Sequence, residues 1–222
     1  YFWGTLGIIY NDKYVKPQDV QHWDDLWAPK FKNQIMLVDS ARDALAMALI
    51  TQNKSVNDKS TADLAAAQAK LTTLMPNIKA IIADEIKMYM AQNEAAIAVT
   101  YSGEASQAMG NNSHLHYVVP SEGSNLWFDN MVIPKTAQNK EGAYKFMNFL
   151  LDAQNSAQNT EWVGYATPNK AARSKLPKEV RNDHRFYPSK QEQQRLEVYK
   201  DLGQSSLSDY NESFLNFKMS LK

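Results

Sequence analysis

Between residues 34 and 119 the sequence alternates short apolar runs with capped helical stretches, and this alternation constrains the fold more than any other feature. Gln34 to Val38, Ile78 to Ile82, Ala95 to Tyr101 and Leu115 to Val119 read as strands. Ser40 with Asp43, and Ser60 with Asp63, form capping-box variants at the heads of two helices. The first helix carries Leu45, Met47, Ala48 and Leu49 and fades near Asn53. The second sets Leu64, Leu71, Leu74 and Met75 at helical spacing and stops at Pro76. Shorter helices are expected over Lys87 to Gln92 and Ala105 to Met109. Strands separated by helices predict an α/β sheet with crossover connections.

The flanks add pieces outside that layer. Tyr1 to Tyr10 reads as a strand, and His22 to Trp27 as an amphipathic turn ended by Pro29. Trp127 to Ile133 is an expected strand leaving the layer. Asn139 to Leu151 is an expected helix with Ala143, Phe146, Met147, Phe149 and Leu150 on its apolar side, and Ala153 to Val163 follows as another. Gly164 and Pro168 bracket a held, irregular segment. Further helices are expected near 191–200 and 207–219, and Pro177 to Pro188 is polar and irregular.

Composition excludes several functions. Lys+Arg and Asp+Glu stand at 24 each, and a neutral chain without a basic stripe argues against a nucleic-acid partner. No apolar run reaches the ~18 residues that a membrane-spanning helix needs. Tyr1-Phe2-Trp3-Gly4 opens directly into structured sequence with no signal-peptide pattern, and the absence of Met predicts that Tyr1 is not a natural start. With no cysteine, disulfides, thiolate metal sites and cysteine nucleophiles are out.

No catalytic constellation emerges. Nucleophile-elbow, phosphate-loop and dinucleotide patterns are missing. His114 and His116 would share a strand face, but no further ligand stands at a supporting spacing, so no metal and no cofactor are expected. Acids and aromatics at strand ends remain. Asp39, Ser40 and Asp43 follow one strand, Ala83 and Asp84 another, and Tyr101 ends a third. Trp127 and Asp129, two residues apart, would share one face of a strand. An aromatic plane beside a carboxylate suits an organic cation. The alternative is a buried tryptophan and a turn aspartate. Ligands of open α/β sheets bind beyond the carboxyl ends of the strands, which these segments share.

Six pieces stand in one order: Trp3-Gly4, Trp23-x-Asp25-Leu26-Trp27, Asp39-x-Ala41-Arg42, Gly123-x-x-x-Trp127-x-Asp129, Asn139-Lys140-Glu141-Gly142-Ala143 and Gly164-Tyr165-x-Thr167-Pro168-Asn169. The series resembles the spermidine/putrescine-binding proteins of bacterial polyamine ABC transporters. That resemblance implies a type II periplasmic-binding-protein fold, here with one complete lobe plus the return segment of the other. Residues from about 10 to 122 and 178 to 222 would form the C-terminal lobe. Residues 1–9 and about 127–173 would be the remnant of the N-terminal lobe, with crossings near 9–10, 122–127 and 173–178. Roughly a hundred further residues would precede Tyr1 in a full two-lobe domain.

By the same resemblance, Asp129 would pair an amine, Trp127 would pack on a methylene chain and Tyr165 would line the cleft. Asp43 stands where relatives often carry glutamate, and Tyr101 where some carry tryptophan. Ser40 replaces an acid found in some relatives and Tyr199 a glutamine, which bears on the choice among polyamines. The implied function is extracytoplasmic capture of a polyamine for a membrane ABC permease. The protein would lie in the periplasm or at the outer face of the plasma membrane, with a lipid anchor as an option, and would not be an enzyme. A solute-binding protein for another ligand, or a surface sensor or adhesion lobe, is the alternative. Apolar surface left on 127–173 would favour self-association.

Overall fold

The structure is a computed structural model that describes residues 1–220. Its strands are β1 (Trp3–Asn11), β2 (Ile35–Val38), β3 (Ile78–Ile82), β4 (Ile97–Tyr101), β5 (Leu115–Val118), β6 (Ser124–Phe128) and β7 (Leu196–Glu197). The first four α-helices are α1 (Ala41–Thr51), α2 (Thr61–Leu74), α3 (Ile86–Ala91) and α4 (Ser102–Asn111). They are followed by α5 (Lys140–Leu151), α6 (Ala153–Val163), α7 (Lys170–Lys175), α8 (Lys178–Arg181), α9 (Lys190–Gln193) and α10 (Gly203–Met219).

One mixed sheet runs in the order β3-β2-β4-β1-β6-β7. β2 is parallel to both β3 and β4, so these three strands end at the same edge. β1 is the long element that joins the parts. Its first residues pair antiparallel with β6 (Gly4 opposite Trp127), and its later ones with β5. On its other side it pairs with β4, with Leu6 opposite Tyr101. One strand thus carries the registers that bring Trp127 and Tyr101 to the same neighbourhood.

The main core lies around this sheet. Ser40 and Ser60 cap α1 and α2 by accepting the backbone N–H of Asp43 and Asp63, as their spacing predicts. Leu45, Met47 and Leu49 of α1 are fully buried with Leu64 and Leu71 of α2 and Phe217 of α10. Each such side chain contributes about 1.5–3 kcal/mol of burial. A second, smaller cluster gathers Ala157, Ala166, Ala172, Leu176 and Tyr187, with Trp3 packed on it.

Two expected elements differ from the sequence reading. The strand expected over Trp127 to Ile133 stops at Phe128. Its partner β1 begins at Trp3, opposite Phe128, so no ladder is available for Met131-Val132-Ile133, and Pro134 blocks further extension. The helix expected near 191–200 is only the short α9, headed by a Ser189–Glu192 capping box. Pairing of Leu196 and Glu197 with Ser124 and Asn125 takes over the following backbone. Residues 221–222 of the expected lobe 178–222 lie outside the described residues.

Candidate functional site

The shared carboxyl edge of β2 and β4 builds one wall of a cavity of about 450 Å³. Ser40 and Asp43 enter it from the start of α1 and Tyr101 from the end of β4. Asn125, Trp127 and Phe128 enter from β6, and Asp129 from the residue after it. Tyr165 follows α6 and Tyr199 follows β7. Seven of the residues singled out in the sequence (Ser40, Asp43, Tyr101, Trp127, Asp129, Tyr165 and Tyr199) therefore line one cavity. Asp39 and Ala83 do not. Asp39 turns to Lys218 of α10, whose Nζ lies 2.9 Å from its carboxylate. Ala83 follows the edge strand β3, one strand further from the cavity, and is exposed.

Asp43 is buried, at 4% exposure, so its charge needs partners. Tyr101 donates to one carboxylate oxygen at 2.6 Å and Tyr199 to the other at 2.7 Å. Burial first, and then the Asp43 charge, push both phenols well above their ordinary pKa. They stay protonated donors, and each carboxylate oxygen keeps a lone pair for a ligand. Asp129, also in the lining, is exposed.

The rings form a continuous wall. Trp127 meets Tyr101 edge-on with centroids 6.1 Å apart, and Tyr165 edge-on at 5.1 Å. These are favourable quadrupole geometries. Tyr165 donates its hydroxyl to Glu104 at 3.2 Å and so presents its ring, rather than its hydroxyl, as a surface. Burial, then Glu104, raise the Tyr165 phenol in the same way.

Arg42, Asn125 and Phe128 also line the cavity and were not singled out in the sequence. Asn125 stands two residues before Trp127, so strand alternation places it on the same face and could have found it. Arg42 stacks over the Tyr199 ring at 4.2 Å and gives Nη2 to Asn57. Nothing in its local sequence signals a turn toward the cavity. Asn125 Oδ1, Trp127 Nε1 and Arg42 Nε are buried without a hydrogen-bond partner. A cavity lined by carboxylates and aromatic rings suits a polar ligand.

No group of three or more His, Asp or Glu residues suited to a metal occurs among the described residues. His114 and His116 instead share the carboxylate of Asp12, each at 2.8 Å. Asp12 sits just past β1, where only sheet pairing brings it to β5. No helix among the described residues is long and apolar enough to cross a membrane.

Residues 1–187 match the family of bacterial extracellular solute-binding proteins. The chain is 36% identical over 218 residues to the spermidine/putrescine-binding periplasmic protein of Salmonella typhimurium, covering 98% of this chain and 62% of that protein. It is 37% identical to the protein of the same description from Escherichia coli K12, again over 62% of its length. Among solved structures, a putative spermidine/putrescine ABC transporter protein of Listeria monocytogenes superposes with a TM-score of 0.95 at 54% identity, over 99% of this chain and 68% of that one. The spermidine/putrescine ABC transporter substrate-binding protein of Streptococcus pneumoniae superposes at 0.89 with 51% identity, over 100% of this chain and 68% of that one. The chain thus spans about three-fifths of the curated relatives it matches. On the fold, the ordered motifs and the matched residues together, this chain belongs to the bacterial extracellular solute-binding protein family.

Proposed function

We propose that the protein captures a polyamine of the spermidine/putrescine class outside the cytoplasm and passes it unchanged to a membrane ABC permease. One observation carries this reading: two carboxylates, Asp43 and Asp129, and five aromatic rings, Tyr101, Trp127, Phe128, Tyr165 and Tyr199, line a single cavity. A polyamine is a flexible chain of methylenes between ammonium groups. Desolvating its charges is costly unless each finds an acceptor, and carboxylates with free lone pairs supply that. Ring faces add about 0.5–2 kcal/mol each through cation–π attraction and cover the methylenes.

The relatives are longer than this chain, and in this reading the residues they add would supply a further wall of the site. In this reading residues 10–122 and 178–222 form one lobe, and 1–9 with 127–173 belong to the other. Hinge closure then sequesters the ligand and presents both lobes to the permease. The two buried clusters follow this division only in part: Leu6, Ile8 and Ile9 of 1–9 lie in the main cluster, and Tyr187, with Val180 and Phe186 beside it, lies in the smaller one.

Calorimetric titration of the full-length protein with putrescine and spermidine tests the reading. Heat with one-to-one stoichiometry is expected for at least one amine, and mass spectrometry should recover that amine intact. No heat for either amine, with tight binding of a sugar or inorganic anion, overturns it.

A further inference from the structure

Tyr165 is held from behind by residues that do not line the cavity. It follows Gly164, whose φ of +83° closes α6 in the left-handed region that glycine adopts without penalty. The first turns of α4 receive this segment. A Cβ on Gly103 would stand 2.2 Å from the Tyr165 ring, so the ring lies directly on the α4 backbone. Gln107 of α4 donates to the Val163 carbonyl at 2.7 Å. Glu104 accepts the Tyr165 hydroxyl on Oε1 and holds Lys87 of α3 at 2.8 Å on Oε2. The Glu104 side chain is only 12% exposed, and its Oε2 meets the Lys87 ammonium as an ion pair without a hydrogen bond of its own. Tyr165 in turn sets its ring against Trp127.

We infer that Glu104, braced by Lys87, is a positioning residue that fixes the Tyr165 ring against Trp127 and so shapes the ligand wall without touching the ligand. The inference rests on the polyamine reading for its affinity readout but not for its structural one. Truncating Glu104 frees the phenol to rotate toward the cavity and the unpaired Asn125 and Trp127 groups. Replacing it with glutamine keeps an acceptor for the hydroxyl.

A double-mutant cycle on the full-length protein tests this, with spermidine and putrescine as probes. Glu104→Ala is expected to weaken the bound amine by about tenfold, the scale of one lost hydrogen bond. Glu104→Gln should stay within about threefold of the parent, because the same bond is retained. In a Tyr165→Phe background Glu104→Ala should add little, since the hydroxyl it acts through is gone. The Trp127 contribution to near-ultraviolet circular dichroism without ligand, read as the difference from a matching Trp127→Phe variant, should be altered by Glu104→Ala and restored in Glu104→Gln. Equal losses for Ala and Gln would mean that the Glu104 charge acts on the ligand, and would overturn the inference. So would an undiminished Glu104→Ala effect in the Tyr165→Phe background, or an unchanged dichroism band. If the parent binds no polyamine, the functional reading fails and the dichroism alone still decides the positioning claim.

Discussion

Helices α1 and α5 are nearly the same length, yet they live in opposite surroundings. In α1 every residue from Asp43 to Leu49 is buried between the sheet and α2, and Asp43 at its head reaches the cavity. In α5 none is buried, although its apolar residues keep to one side. Tyr144, Phe146, Phe149 and Leu151 face outward, with Val132 and Trp162 also exposed. Amphipathic patterning therefore marks a face that needs a partner, not one that has found it within these residues. The chain covers only part of its relatives' length, and α5 carries much of its exposed apolar surface.

The contrast is open to attack at both helices. The largest effect is expected in the main core. Leu45→Ala should cost about 2–5 kcal/mol of unfolding free energy in a denaturant titration. Phe149→Ser should cost almost nothing in these 222 residues and should reduce the self-association we propose for them. Sedimentation velocity reads the second outcome, and a clean monomer at high concentration before the substitution would contradict it. Next comes the site. Asp43→Asn in the full-length protein should weaken polyamine binding by about 10–100-fold, the scale of a charge-assisted hydrogen bond, with calorimetry as the readout. Asp129→Asn should act in the same direction by a smaller factor, because Asp129 is exposed and better screened.

The strand-end acids and aromatics were legible because parallel strands deliver their following residues to one edge. That rule yields the edge but not the position along it. Ala83 follows the outermost strand and misses the cavity, and Asp39 finds Lys218 from a helix nearly 180 residues away. The capped helices were legible because Ser40 and Ser60 act on residues three positions on. β7 was not, since two residues become a strand only by pairing with β6. Glu104 was not legible either, because its partners Lys87 and Tyr165 meet it only in three dimensions.

The smallest expected effect lies at Asp12, far from both helices. Hydrogen bonds from His116, then His114, hold its carboxyl below the usual 3.8. A lowered folded pKa contributes stability above the unfolded value, and that contribution is lost as pH falls through the folded one. Asp12→Asn should therefore flatten the acid limb of a melting-temperature profile, through a small loss near neutral pH that disappears as pH falls below about 4. An unchanged acid limb would show that the exposed cluster is not coupled to folding.

The most direct measurement is a crystal structure of the full-length protein grown with spermidine or putrescine. The account predicts an ammonium group within hydrogen-bond reach of Asp129 and another near Asp43. The methylene chain should lie along Trp127, with Tyr165 still bonded to Glu104. An amine lodged instead in the groove behind Tyr165, lined by Glu161, Glu179 and Asp183, would contradict it.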